Sequence, residues 1–350
     1  MSPSPVDPKL RELARQLGLD SRGDCVTRLR EHALSQVIGP VEALGVNSSQ
    51  TLLDVVAGLQ SVKVLFIEAD EDIPRLGEEY ERDWPELVGQ LRHEFLDRDT
   101  MGLVVAHPNP LAEAHRYLAF IDSRGDRAVR AYFTAWHEIA HLLLQPSQLS
   151  FSGFRRVTTN LLTAKDPLEA LVDQVAGELA FFGPLVRPTL DDELRRTGRL
   201  TMNGIERVRT AVTPKASLSS CVHALTRMVE SPTAFLVAGM KLKPSEARAM
   251  SSGQLTLIDP ARPVERLRVI SAFPNAAAKD AGFAIFPHMR VPPDSKVTRV
   301  FRGESDEEGV AAEDQKMWES GGRYLDPLSL RVEGRRLGDV VYALMNCSTV

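Results

Sequence analysis

His137-Glu138-Ile139-Ala140-His141 is the segment whose residue types and spacing carry the clearest chemistry. Around it Val129, Tyr132, Phe133, Trp136, Ala140 and Leu143 recur every three or four positions, so the segment is predicted to be an amphipathic helix. On a helix, positions i and i+4 stack on one face, which places the imidazoles of His137 and His141 one above the other. Two imidazoles so placed can occupy two corners of a zinc tetrahedron. Glu138 stands one residue round from the first histidine. There its carboxylate can reach a water on the metal, take its proton and pass it on to a leaving amine. The competing reading is a helix whose two histidines are packed polar residues. It leaves the acidic residue between them without a purpose.

A third protein ligand with the fourth position open to water completes the catalytic pattern. The next helix offers a carboxylate. Asp166-Pro167 forms a helix start, residues 168–182 stay largely apolar, and Gly183-Pro184 is expected to stop the run. Glu169 and Asp173 are i and i+4 and share a face, whereas Glu178 falls on the opposite side. Glu169 reads either as the third ligand or as the partner of Asp166 in an N-terminal capping box. Asp173 is placed to accept the spare ring N–H of a ligating histidine and so fix its tautomer and angle.

The elements that must position these groups can also be read. Strands are predicted at 62–67, 102–106 and 116–121, with a turn at 122–125 and Asp126 as the N-cap of the histidine helix. A capped helix opens near Ser49. Residues 8–46 read as short helices broken at Asp20-Ser21-Arg22-Gly23. Residues 189–240 look helical, with a helix–turn–helix at 204–229. Beyond 241 lie short β-rich runs at 267–272, 282–286, 296–301, 328–332 and 340–345, interrupted by an acidic loop at 304–308. The expected fold class is α+β, divided as 1–46, 47–188, 189–240 and 241–350.

The totals bound the class. Among 350 residues, 43% are apolar and 25% charged, enough to bury a sizeable core. A net charge of −5 gives no whole-protein case for nucleic-acid binding. Cys25, Cys221 and Cys347 are odd in number and far apart, which suits a reducing cytoplasm better than a disulfide framework. The first residues have no secretory pattern, and no apolar run approaches the ~20 residues of a membrane span. A cytoplasmic protein with no membrane partner is expected.

At the two metal-bearing helices the sequence resembles the ImmA/IrrE family of zinc metallo-endopeptidases. The shared pattern is an extended segment, a turn, the His137–His141 helix with its Leu-rich end, and a second helix. That second helix reads roughly E-x-x-A-[ND]-x-F-A-A-E-L-L-x-P in the family. Here it reads Glu169-Ala170-Leu171-Val172-Asp173-Gln174-Val175-Ala176-Gly177-Glu178-Leu179 and runs on to Pro184, with Val172 and Val175 in place of the family's Ala and Phe.

The resemblance places Glu169 on the third ligand position. It implies a zincin-like metallopeptidase domain with one Zn2+ per chain, then a helix-turn-helix-like segment and a C-terminal GAF-like α+β domain that senses a signal. It further implies a cytoplasmic endopeptidase of narrow specificity. The expected substrate is a transcriptional repressor of the XRE helix-turn-helix type, cut in a stress or mobile-element response. The alternative is a non-catalytic regulator that binds a repressor or DNA around a structural metal.

Weaker signals stand beside these. Arg207, Arg209, Lys215 and Arg227 could give the helix–turn–helix a DNA contact. Arg11, Arg15, Arg22, Arg28 and Arg30 lie in a faintly SAP-like stretch, for which a plain helical extension packed on the protease domain is the preferred reading. Tyr117, His115, His107, Tyr132 and His223 are candidate oxyanion donors by residue type.

Overall fold

The computed structural model describes residues 7–80, 84–97, 100–107, 115–144, 153–156, 166–251, 263–305, 309–320 and 322–348. By contacts the chain divides into two units. The first comprises 1–187 with 212–220, and the second 188–211 with 221–350. No helix among the described residues is long and apolar enough to cross a membrane.

The first unit begins with α1 (Pro8–Gln16) and α2 (Cys25–Ala43), each started by an aspartate. Asp7 accepts from the Lys9 N–H at 2.8 Å and Asp24 from that of Thr27 at 3.1 Å, satisfying amides that the helix leaves without partners. The second of these is 19 residues long, not short. Helix α3 (Ser49–Leu59) is capped by Ser48, one residue before the expected start.

The chain then runs through β1 (Val62–Ile67), α4 (Asp72–Tyr80), α5 (Leu87–Arg92), β2 (Thr100–Ala106), β3 (Tyr117–Asp122), α6 (Ala128–Leu144), β4 (Gly153–Arg156) and α7 (Pro167–Ala180). The sheet order is β1-β3-β2-β4, with β1 parallel to β3 and both other pairs antiparallel. Side chains alternate across it. Leu103, Val105, Leu118 and Phe120 bury one face against Ile73, Leu76, Leu87, Leu91 and Phe95 of and beside α4 and α5. The other face packs on α6. Each such aliphatic or aromatic side chain contributes roughly 1.5–3 kcal/mol on burial.

The second unit holds α8 (Gly183–Thr197), most of α9 (Met202–Val212) and of α10 (Leu218–Met228), and a five-stranded antiparallel sheet. Its strands are β5 (Thr233–Lys241), β6 (Arg266–Pro274), β7 (Ala311–Asp314), then β8 (Glu319–Ser320) and β9 (Arg323–Tyr324) as a separate ladder, and β10 (Ser329–Leu337) and β11 (Val340–Ser348). The order is β6-β5-β11-β10-β7. Helix α11 (Pro244–Ser251) follows β5; α12 (Ala276–Asp280) and α13 (Lys296–Phe301) pack on the sheet from one side. On the other face Glu333 accepts from the Met202 N–H at 2.8 Å, and His223 of α10 lies against Phe235 and Phe273.

Several sequence expectations change here. Residues 296–301 form a helix, not a strand: Ser295 caps it, Glu313 accepts the Lys296 N–H, and Val297 and Val300 are buried at helical spacing. The run at 282–286 is irregular. Gly183-Pro184 opens α8, two residues beyond the end of α7 at Ala180 and Phe181–Phe182, because proline suits a first helical turn. The end of the expected helical stretch, 233–240, is strand β5. Part of the acidic loop, 306–308, lies outside the described residues. All three cysteines are buried and free, and burial pushes the Cys347 thiol up to about 11.

Candidate metal centre

The helix carrying both histidines is not started by Asp126. A 3-10 turn at Gly125–Arg127 precedes it, with Gly125 at φ 49, a left-handed conformation glycine adopts without strain. The anchor is Asp122 at the end of β3, whose side chain is fully buried. It accepts from the Arg124 backbone at 3.1 Å, from Arg124 Nε at 2.9 Å and Nη2 at 2.7 Å, and from Arg127. Burial pushes the Asp122 carboxyl up, but these hydrogen bonds outweigh it and hold the pKa below the usual value. Arg124 also donates to the Phe95 carbonyl at 2.7 Å and pairs with Asp70.

From this anchor α6 carries His137, Glu138 and His141 into the interior, where they are 2%, 1% and 7% exposed. The two Nε2 atoms are 3.1 Å apart. Glu169 of α7 meets them with one oxygen 3.3 Å from His137 Nε2 and the other 3.5 Å from His141 Nε2. Donors ~2.0–2.1 Å from a zinc ion at tetrahedral corners are separated by about 3.3–3.4 Å. The three separations straddle that value, and one ligand atom from each residue fits within 4.8 Å. Asp173 lies one turn on, its Oδ1 2.8 Å from His137 Nδ1. That contact leaves Nε2 to face the group.

The helix-cap reading of Glu169 separates from the ligand reading here. Asp166 does cap α7, accepting from the Leu168 N–H at 2.9 Å, and the Lys9 hydrogen bond followed by that backbone bond lowers its pKa. Glu169 turns to the histidines, whereas a capping-box glutamate reaches back to the cap residue's own N–H. Its side chain is 42% exposed, so the group opens to solvent on the α7 side. Histidine nitrogens and one carboxylate form a donor set that zinc and other borderline divalent ions accept.

One feature escaped the sequence reading. Gly102 of β2 lies flat against α6: a Cβ built there would sit 2.7 Å from Glu138 Oε1 and 2.8 Å from Thr134 Cγ2. Beside it the β2–β4 register slips between Thr100 and Leu103, a bulge-type irregularity next to Glu138. An isolated glycine in a strand pattern was the available signal.

The N-terminal helices brace the two helices that carry the group. Gln36 of α2 donates to the Leu143 carbonyl in the last turn of α6 at 3.2 Å. Arg30 pairs with Glu178 at 3.5 Å, and Lys9 with Asp166 at 2.7 Å. Tyr132 joins α6 to α7 directly by donating to the Ala180 carbonyl at 2.7 Å. The contacts through α1 and α2 help to set their pairing.

The remaining candidates are distributed elsewhere. Tyr132 is committed to Ala180. His107 is buried edge-on to Tyr80, and Tyr117 is buried beneath Arg116. His115 is partly buried at the start of β3, and His223 belongs to the second unit. Of the helix–turn–helix cations, Arg207 pairs with Glu193, Arg209 with Glu206, and Lys215 donates to Gln50. In the SAP-like stretch Arg15, Arg22, Arg28 and Arg30 pair with Glu12, Asp20, Asp20 and Glu178. No family model matches the chain, and neither does any curated protein.

Proposed function

We propose that this chain is a zinc-dependent endopeptidase in which His137, His141 and Glu169 hold the metal and Glu138 moves the proton. The observation that carries the reading is the triangle of two buried imidazole nitrogens and a half-exposed carboxylate at 3.1–3.5 Å, with Asp173 behind one imidazole. Zinc held there would polarise a peptide carbonyl and lower the pKa of a coordinated water to about 7. Glu138 adjoins the first ligand in sequence and lies against Gly102 of β2; it would accept a proton from the water and return it to the departing amine. Asp173 orients His137. Three protein donors, with a fourth position for water, suit a catalytic site better than a closed structural one.

The resemblance to the ImmA/IrrE family suggests the substrate, a helix-turn-helix repressor, and a GAF-like sensing role for the second unit. A five-stranded antiparallel sheet with helices on both faces is compatible with such a module. The decisive comparison is Glu138→Gln against wild type. Metal content is read by mass spectrometry, and new N-termini are mapped in a cell extract incubated with each protein. One zinc per chain in both, with new termini only in the wild type, supports the mechanism. Equal cleavage by the variant removes Glu138 from it. Bound metal without any cleavage favours the non-catalytic regulator.

A further inference from the structure

We infer that the end of the β5–β6 strand pair at Lys241 and Arg266, in the second unit, is a docking surface for the sugar–phosphate backbone of a nucleic acid. The inference stands apart from the metal centre and does not depend on it.

Lys241 of β5 lies directly opposite Arg266 of β6. Two positions along, Arg268 pairs through a further bridge with Arg290. The neighbours Ala238, Val269, Met289 and Val291 all enter the hydrophobic core, with Leu267 packed against it. Alternation therefore sends Lys241, Arg266, Arg268 and Arg290 together to the opposite face. Directly opposed side chains have Cβ atoms about 4.5–5.5 Å apart, and residues i and i+2 are about 6.6–6.8 Å apart. The four cations thus form a staggered line across β6, with Lys241 on its β5 side and Arg290 on the other.

Like charges placed directly opposite on neighbouring strands destabilise a sheet. Here two such pairs adjoin, and among the described residues none of the four has an ion pair. Lys241, Arg266 and Arg290 are exposed. Arg268 is partly buried, held by donation from Nη1 to the His288 carbonyl at 3.1 Å, and its Nε is buried without a hydrogen-bond partner among the described residues.

Several arginines elsewhere find acids. Arg207, Arg209, Arg15, Arg22, Arg28 and Arg30 all do, so the two helical segments whose sequence suggested DNA contacts are largely neutralised. Three of the four patch residues are arginines, whose planar fork matches phosphate oxygens two at a time. A repeating phosphate chain supplies several anions at comparable spacing, which a single carboxylate does not.

The test is fluorescence anisotropy of a labelled single strand and a duplex of the same sequence, with the full chain, across roughly 50–300 mM salt. Four neutralised phosphates give a slope of log K on log salt of about −3 to −3.5, or ~10²-fold weaker binding between about 50 and 200 mM. Arg266→Gln with Arg290→Gln should lower the slope by about 1.5–2 and hold or raise the melting temperature, since each relieves a like-charge pair. Arg207→Gln should leave binding unchanged.

Absence of binding at low salt, or an unchanged slope in a variant lacking all four cations, overturns the proposal. So does loss of acidic-peptide binding in that variant while neither oligonucleotide binds the wild type. The arm that binds more tightly tells a single strand from a duplex.

Discussion

Adding one methyl group at Gly102 tests whether β2 holds Glu138 in place. The new carbon would sit 2.7 Å from Glu138 Oε1, 2.8 Å from Thr134 Cγ2 and 3.1 Å from Glu138 Cγ, against ordinary contact at about 3.5–4.0 Å. Neither neighbour can swing away easily: Glu138 and Thr134 are each 1% exposed, and a β-branched side chain on a helix has few rotamers. Overpacking of this kind costs about 1–3 kcal/mol. Gly102 does not have positive φ, so alanine also gains about 0.4–1 kcal/mol from a less flexible unfolded chain. The net expectation is a loss of about 1–2 kcal/mol in a urea melt of the first unit. Zinc content should be retained. Cleavage should fall by up to ~10²-fold, as expected for a base displaced by about an ångström. Thr134→Ser on this background removes one overlap and should recover part of the loss. A Gly102→Ala protein as stable and as active as wild type would refute the close approach and the positioning argument together.

Asp173→Ala should weaken zinc binding by about 10–100-fold in a chelator competition, because His137 loses the acceptor that orients its ring; unchanged affinity would reduce Asp173 to a surface acid. Asp122→Asn should cost about 3 kcal/mol in chemical denaturation, since it leaves Arg124 and Arg127 facing a neutral group. Because the folded pKa of Asp122 is depressed, its contribution is complete above the unfolded value of about 3.9 and is lost as pH falls through the lower folded value. The asparagine variant should therefore show a shallower acid limb. His223 behaves analogously in the second unit. Burial, aided by Arg227, takes its pKa to about 4 from 6.5, so stability is full above about 6.5 and falls as pH drops toward 4. The loss is on the order of 2 kcal/mol after allowing for solvent screening, and His223→Leu should flatten that slope; an unchanged slope would point to another group.

The candidate metal group was legible because a five-residue helical spacing and a one-turn carboxylate pair need only local geometry to be read. Strands β1, β2 and β3 were equally visible, each a short β-branched or aromatic run bounded by turn residues. Glu169 was ambiguous in sequence, since a cap and a ligand call for the same residue at the same place; only its direction in space separates them. Asp122 was read as a turn residue, and nothing local reveals that Arg124 and Arg127 fold back on it. Residues 296–301 alternate well enough for a strand, but Ser295 and the distant Glu313 supply caps that favour a helix. A helical extension packed on this unit was readable at α1 and α2, but its particular contacts were not, since Gln36 meets Leu143 across more than a hundred positions.

The order β6-β5-β11-β10-β7 also constrains how the second unit is made. Strand β11, the last to be synthesised, fills the middle of the sheet between β5 and β10, and Thr233 waits 113 positions for its contact with Asn346. Until β11 emerges, β5 and β10 each present an open edge bearing residues such as Leu236 and Val332, which are buried in the finished sheet. Such edges recruit other strands. A nascent chain paused before Val340, or a truncation placed at Lys241, therefore carries an orphan strand instead of a domain boundary. Excising the second unit cleanly means removing β5 as well, together with the helical residues 188–211 and 221–228 that belong to the same unit.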